Sequence, residues 1–488
     1  MRLKSKLLVT FQIAMMGTLM PCLAQQSMPI PQEEMHHHHG DIKPVAPVYP
    51  RLGRAQEQAA RKLFTLEEAQ GLASQSNPTL RQAEAEIRAA HARQQQAGLY
   101  PNPTVGYTGD EIRGGSIHGG KQGFFAEQTL VTGGKLNKSR IVLEKEVHLA
   151  ELETEEQKTR VETSVKIAFY RVLAAQELLG LRRDLSQIAL AYSQSQENLI
   201  QTGQVDETEM LETEVEAQRF HLAAFEQESS LREEWRQLAA IIGQPDLPQA
   251  TVAGDLERAW PDINEDLILE TISTQSPANR IADATSARAA AEIIRAKSQV
   301  IPDLQLRGGF EYNNEPLGTF PQAIGWEGLA VLAVQLPIFN RNQGNVAAAA
   351  ADLDRAQLEK QRVVLTLRER AASILDQYAT SKVMATQYRD SMLPRAKKAY
   401  TLMNEQYGRM LASYPRVIQS QRKLFELQLE YVRLLENVWT TGIALQGFLL
   451  TDGLEAPARP AEVDRPLRET NLPMPERTMS SWDQIPRP

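Results

Sequence analysis

The residues best suited to chemistry fall into two groups. Asp206, Glu207, Glu209, Glu212, Glu214 and Glu216 form a dense acidic run at the start of an expected helix. Acids there suit the positive end of the helix dipole in any solvated helix. Repeated around a symmetry axis, the same carboxylates would make a ring that attracts cations. The second group comprises Met28, Met35, His36, His37, His38 and His39, with Asp41 close behind. Imidazole and thioether donors bind Cu, Ni, Zn or Co, and a flexible tract can wrap an ion. The tract also reads as a polar linker or an engineered tag, but its internal position favours a native, weak, accessory metal contact. His91, His118, His148 and His221 are scattered over helices or a loop and read as surface or packed residues. No phosphate-binding loop, zinc-protease motif or hydrolytic triad is legible, so neither an enzyme nor a cofactor is expected.

Composition narrows the classes further. The formal charge of −8 leaves no basic footprint for nucleic acid. Aromatic residues make up only 6% of the 488, which suits long packed helices better than one large globular core. Arg2, Lys4 and Lys6 precede an apolar run from Leu7 to Leu23, a secretory leader. Cleavage after Ala24 fits its small-residue end, and lipidation at Cys22 is the alternative. Cys22 is the only cysteine, which excludes an intrachain disulfide and a cysteine metal cluster. No later stretch supplies the ~18 unbroken apolar residues of a membrane-spanning helix.

These groups must be positioned by something, and the pattern along the chain is duplicated. Ser76-Asn77-Pro78 matches Gln275-Ser276-Pro277, and Pro78 to Pro103 spans the same 25 residues as Pro277 to Pro302. Gly203 after the first long helix has a counterpart in Gly408 after the second. Ordered matches of this kind indicate an internal repeat. Each half reads as helix, proline stop, two short strands, long helix, glycine turn, helix.

The strands are expected at about 104–112 and 123–130, and again at about 303–312 and 326–336. Leu304, Leu306, Gly308, Phe310 and Tyr312 alternate with Gln305, Arg307, Gly309 and Glu311. Runs of this length with one apolar face match tilted strands that cross a bilayer. Two ordinary hairpins capping a soluble domain would give the same alternation; the leader and the lack of a spanning helix favour the membrane. Four strands cannot close a barrel, and open edges are not tolerated in lipid, so several chains would have to share one. Two junctions join strand to helix, at Gly133-Gly134 and at Pro337, Asn340, Arg341 and Gly344.

The long helices, Lys135 to Gly203 and Gly344 to Gly408, would each extend about 100 Å. Val161, Val165, Ala168, Val172, Ala175 and Leu179 step by four and three, as do Val364, Leu367, Ala371, Ile374 and Tyr378. The closing helix repeats the step from Leu424 to Phe448. A sustained 3.5 period means coiled-coil packing. Thr65 to Leu99 reads as one helix opened by a Thr65/Glu68 capping box, and Pro394 is expected to kink its helix. The expected organisation is a leader at 1–24, a disordered His/Met segment at 25–63, a first repeat at 64–243 and a linker at 244–264 lying outside the helices. A second repeat covers 265–450, and a Pro-rich disordered tail covers 451–488.

Two Pro-bounded strand pairs flanked by long helices resemble the TolC-like outer-membrane efflux proteins. The phrase Val334-Gln335-Leu336-Pro337-Ile338-Phe339-Asn340-Arg341-Asn342-Gln343-Gly344-Asn345 is similar to the second junction of their heavy-metal branch, the CzcC-like and CusC-like channels. The resemblance covers roughly residues 64–450. It implies a mainly α fold with membrane β: a periplasmic α-barrel of long antiparallel helices below a twelve-stranded barrel shared by a homotrimer. It implies an outer-membrane location reaching into the periplasm, and contact with outer-membrane lipid. It further implies partners: a periplasmic adaptor and an inner-membrane, proton-driven RND transporter. The expected function is a passive exit duct for heavy-metal cations; drugs, organic solutes or type I secretion are the alternative cargo. A periplasmic coiled-coil scaffold without a pore is the alternative of another class. In the family, acidic residues six and nine positions past the turn glycine matter. Glu209 and Glu212 match those positions, whereas the second repeat has Tyr414 and Val417. With Asp206 and Glu207 they form the expected gate, which Arg409 would bridge by reaching Glu209.

Overall fold

A computed structural model describes residues 63–112, 120–200, 206–316, 322–409 and 411–457. The expected leader, the His/Met tract, Gly203 and the tail beyond residue 457 lie outside them.

The first helical segment is two helices, not one. α1 (Leu66–Ser76) begins at the expected capping box, with Thr65 and Glu68 each accepting from the other's backbone N–H. It ends at Asn77, because Pro78 has no N–H to continue the ladder and holds the preceding residue extended. The Asn77 side chain then caps α2 (Pro78–Ala97) by accepting from Thr79 N at 2.8 Å. The second repeat solves the same problem the same way: Ser276 separates α5 (Glu265–Gln275) from α6 (Pro277–Ser298) and accepts from Asn279 N at 3.3 Å.

Four strands form one antiparallel meander. β1 (Thr104–Asp110), β2 (Lys121–Leu130), β3 (Leu304–Pro316) and β4 (Ala323–Val334) lie in that order, so β2 and β3 join the two repeats. β1 and β4 are the edges. Between the hairpins stand the long helices. α3 (Lys135–Ile200) has 66 residues, about 100 Å at 1.5 Å per residue. α4 (Glu207–Ile242) returns antiparallel to it. In the second repeat α7 (Gln343–Gln387), a π-helical turn (Tyr388–Met392) and α8 (Leu393–Gly408) make one continuous helix, and α9 (Tyr414–Gln446) returns. The irregularity expected at Pro394 takes the form of that turn. Leu393 N donates to Tyr388 O five residues back, so the ladder is re-spaced just before the proline's missing donor.

The heptad positions form the core. Val161, Val165, Ala168, Val172, Ala175 and Leu179 are all buried, and Leu367, Ala371, Tyr378, Tyr431, Val438 and Leu445 join them in one cluster. Near the sheet the packing order is α2–α3–α6–α7; farther away it is α4–α3–α9–α7. α2 and α4 therefore share one edge of the protomer with β1. α7 and β4 hold the other.

The segment 244–264 does not lie outside the helices as expected. Val252 and Leu256 are 2% and 4% exposed within the main cluster. Gln176 on α3 brackets Val252, accepting from its N–H at 3.1 Å and donating to its carbonyl. Phe64 and Val252 form a parallel bridge, and Trp439 Nε1 donates to Leu256 O at 2.9 Å. Residues 451–457 also pack back: Gln157 Nε2 donates to Glu455 O at 3.1 Å, and Gly453 is buried.

Candidate functional site

The sheet has two chemically different faces, set by strand register. Opposed residues share a face, so Tyr107, Phe124 and Phe310 stand together, as do Tyr312 and Trp326. Their rings make a continuous chain: Tyr107–Phe124 at 5.6 Å, Phe124–Phe310 at 6.4 Å, Phe310–Trp326 at 5.6 Å and Tyr312–Trp326 at 5.4 Å. Trp326 is 70% exposed, and Val105, Leu306 and Leu332 extend the bare apolar surface towards the helices. A patch of this extent on one sheet face marks a lipid or protein contact. Aromatic rings gathered near one end match the interfacial girdle of membrane strands.

The opposite face carries ions. Lys121 Nζ lies 3.2 Å from Glu327 and 4.0 Å from Glu311, and Asn313 donates to Glu327 Oε1 at 3.2 Å. Arg307 opposes Glu127 in register and lays its guanidinium 3.9 Å from the Phe125 ring centroid. Gly106 leaves room for that ring, since a Cβ there would stand 2.5 Å from it. β4 departs from strict polarity here, with Leu329 and Val331 on the ionic face.

The two strand–helix junctions are built differently. Gly133 and Gly134 both have left-handed φ, 65° and 66°, and a Cβ on Gly133 would strike Ile301. Asp303 ties this turn to the other repeat, accepting from Thr132 N and from Lys135 Nζ, each at 2.9 Å. At the second junction Gly344 lies inside α7 with open space around it. The left-handed residue is Asn342, φ 58°, which sequence reasoning passed over. Asparagine is among the few residues that tolerate this conformation. Its amide donates to Ala296 O at 2.8 Å, and Asn340 Oδ1 accepts from Asn342 N at 3.0 Å. Arg341 and Asn340 are exposed, and Pro337 is half-buried.

At the far end of the helices the acidic run opens α4. Asp206 is its N-cap residue but makes no side-chain cap, and Glu207, Glu212 and Glu214 are exposed. Glu209 is half-buried beside Tyr192; burial, reinforced by the Glu209 charge, pushes the Tyr192 phenol up to about 12. Arg409 is exposed, and within one protomer it makes no ion pair with Glu209. Arg422 on α9 does bridge the two hairpins, pairing with Glu216 on α4 at 3.2 Å. Nothing in local spacing couples residues so far apart in sequence. Among the described residues no three His, Cys, Asp or Glu side chains are placed to hold a metal ion. No helix among them is long and apolar enough to cross a membrane.

A sheet with one lipid-suited face, standing on paired helices about 100 Å long, defines a channel-forming subunit whose membrane part is β and whose extension is helical. The profile of the outer membrane efflux protein family matches residues 70–244 and 269–449, one segment in each repeat. The chain belongs to that family. It is 25% identical, over 405 residues, to the cobalt-zinc-cadmium resistance protein CzcC of Cupriavidus metallidurans, covering 83% of this chain and 93% of that one. Its fold is similar to a crystal structure of CusC, with TM-score 0.64, 16% identity and coverage of 83% of this chain and 99% of that one. A membrane protein from Pseudomonas aeruginosa is similar at TM-score 0.65 and 18% identity, covering 84% of this chain and 99% of that one. The chain is thus an outer-membrane efflux channel protein that extends into the periplasm.

Proposed function

We propose that this chain is the passive exit duct of a tripartite pump for heavy-metal cations. The observation that carries the reading is the sheet: four strands, two unpaired edges, and one bare apolar face. Unpaired edges are too costly in lipid, so β4 of one copy pairs with β1 of the next. Three copies give a twelve-stranded barrel with the aromatic face towards lipid and the Lys121–Glu311–Glu327 face towards the lumen. The helices continue the bore across the periplasm to a periplasmic adaptor and an inner-membrane RND transporter, which supplies the energy.

Cation cargo is supported by the likeness to CzcC, by the His/Met tract (Met28, Met35, His36 to His39) as an accessory contact, and by the acidic tip. Three copies of Asp206, Glu207, Glu209 and Glu212 encircle the periplasmic mouth, where carboxylate rings favour cations. Arg409 reaches Glu209 of the neighbouring copy and helps to hold the mouth closed.

The test is metal content and survival of cells lacking the chain, across Cu, Ag, Zn, Co, Cd and Ni, beside dye efflux. Accumulation of one or two metals with normal dye efflux supports the reading. Dye accumulation with normal metals transfers the duct to organic solutes and overturns the metal assignment.

A further inference from the structure

The strand–helix junctions at the two edges of the protomer each carry bare apolar side chains. After β4, Leu336, Ile338 and Phe339 are 66%, 61% and 92% exposed. Before β1, Leu99 and Tyr100 are 54% and 63% exposed. A contact from Ile338 N to Leu336 O at 2.9 Å turns the first loop tightly, so Phe339 is presented on a bend and not on a loose tether.

Strand register puts both loops at the same height. Val334 ends β4 opposite Leu304, which in turn faces Leu130. Thr104 opens β1 opposite Glu127, at the same helix-proximal end of the sheet. Through Glu127 and Arg307, Thr104 is level with Val331, three residues short of the end of β4, and residues 101–103 cover that step on the opposite edge. An antiparallel β4–β1 contact between two copies brings residues 336–339 of one against residues 99–100 of the next.

We propose that these loops are the two halves of an inter-protomer joint, in which Phe339 seats against Leu99 and Tyr100 of a second copy of this chain. The inference rests on the shared-barrel reading. Three features favour a second copy as the occupant. The exposed sets are apolar on both sides and lie at matched height. They sit on opposite edges, which is the arrangement of a head-to-tail interface that closes a ring. The edges also match lower down, where α4 carries the acidic run while α8, the continuation of α7, carries Arg395, Lys397 and Lys398. The joint clamps the barrel to the helical tube at the level where strands give way to helices.

The test is disulfide trapping in isolated outer membranes, in a chain whose only natural cysteine, Cys22, lies in the expected leader. Phe339→Cys is combined with Tyr100→Cys. A control series combines Val105→Cys on β1 with Ala330→Cys, Leu332→Cys or Val334→Cys on β4. The joint predicts dimer and trimer bands from the 339/100 pair, absent from either single variant and lost on reduction, together with edge cross-links from one control pair. Edge cross-links without a 339/100 cross-link overturn the joint and leave the shared barrel standing. Absence of both sets overturns the shared barrel and the joint with it. Independently, Phe339→Ala is expected to lose heat-resistant trimer at temperatures the native protein survives, and Phe339→Leu to keep it. Phe339→Trp fluorescence quenched by brominated lipid, without cross-linking, would assign the residue to the bilayer and refute the joint.

Discussion

Glu153 gives the sharpest quantitative prediction. It lies on the face of α3 that packs against α2, it is 9% exposed, and its Oε2 has no hydrogen-bond partner. Arg93 is committed to its neighbours on this seam, bridging Glu86 and Glu146, the latter at 3.0 Å. Burial, with the charges of Glu156, Glu86 and Glu146 adding to it, pushes the Glu153 carboxyl up to about 8. An unfolded chain would hold it near 4.3. The folded state thus binds this proton more tightly, so stability falls as pH rises from about 4.5 to about 8 and levels off above. At 1.36 kcal/mol per pKa unit the ceiling is roughly 5 kcal/mol, of which about 3.6 is already lost at pH 7. Glu153→Met keeps the length and removes the proton. Its unfolding midpoint, followed by circular dichroism in detergent from pH 4 to 9, should match the native protein near pH 4. It should rise progressively above the native protein towards pH 8, by about 2–4 kcal/mol after allowing for a compact denatured chain. Parallel curves across the range would refute the reasoning, because they would mean that Glu153 titrates normally in the fold.

Four further outcomes are expected. Arg422→Glu sets two acids against each other at the helical tip and should raise closed-state conductance in planar bilayers; adding Glu216→Arg should restore it, and a failure to restore would remove the pair from the mouth. Arg409→Ala should also leak in the same assay, and an unchanged closed state would remove Arg409 from the gate. Leu306→Arg places a charge on the apolar sheet face at a cost of roughly 2–4 kcal/mol at mid-membrane, so it should abolish heat-resistant oligomers on gels, whereas Gln305→Arg on the ionic face should not. Tyr378→Phe deletes the hydrogen bond to the Pro261 carbonyl that pins the inter-repeat segment, and should lower the unfolding free energy by about 1 kcal/mol, read by denaturant titration.

Periodicity and burial are the same physics, which explains why the long helices were legible in the sequence. A residue every 3.5 positions faces one seam, and Val165, Ala371 and Val438 are fully buried there. Strand alternation was legible for the same reason on β3, less so on β4, where Leu329 and Val331 share the ionic face. What stayed hidden depends on distant partners. Val252 and Leu256 have no period; they are buried because Gln176 and Trp439 hold their backbone. A proline predicts a lost donor but not the remedy, so the π-helical turn before Pro394 could not be foreseen. Pro78 was a plainer signal, since a helix ends readily before a proline and Asn77 is a good cap. At the second junction the run of polar residues drew attention to Gly344, while the left-handed turn fell on Asn342. At the helical tip the acidic run was visible, but its tie to Arg422 exists only once α4 and α9 are side by side.

The proposed role requires the chain to form a conduit through the outer membrane with others of its kind. Single-channel recording of the purified protein in planar bilayers, under a potassium chloride gradient, tests this most directly. A cation conduit should give discrete conductance steps, a reversal potential on the cation side, and a loss of that preference when Glu209 and Glu212 are both changed to Gln. Absence of conductance, with the protein recovered from the soluble periplasm, would contradict it and leave a helical scaffold in its place.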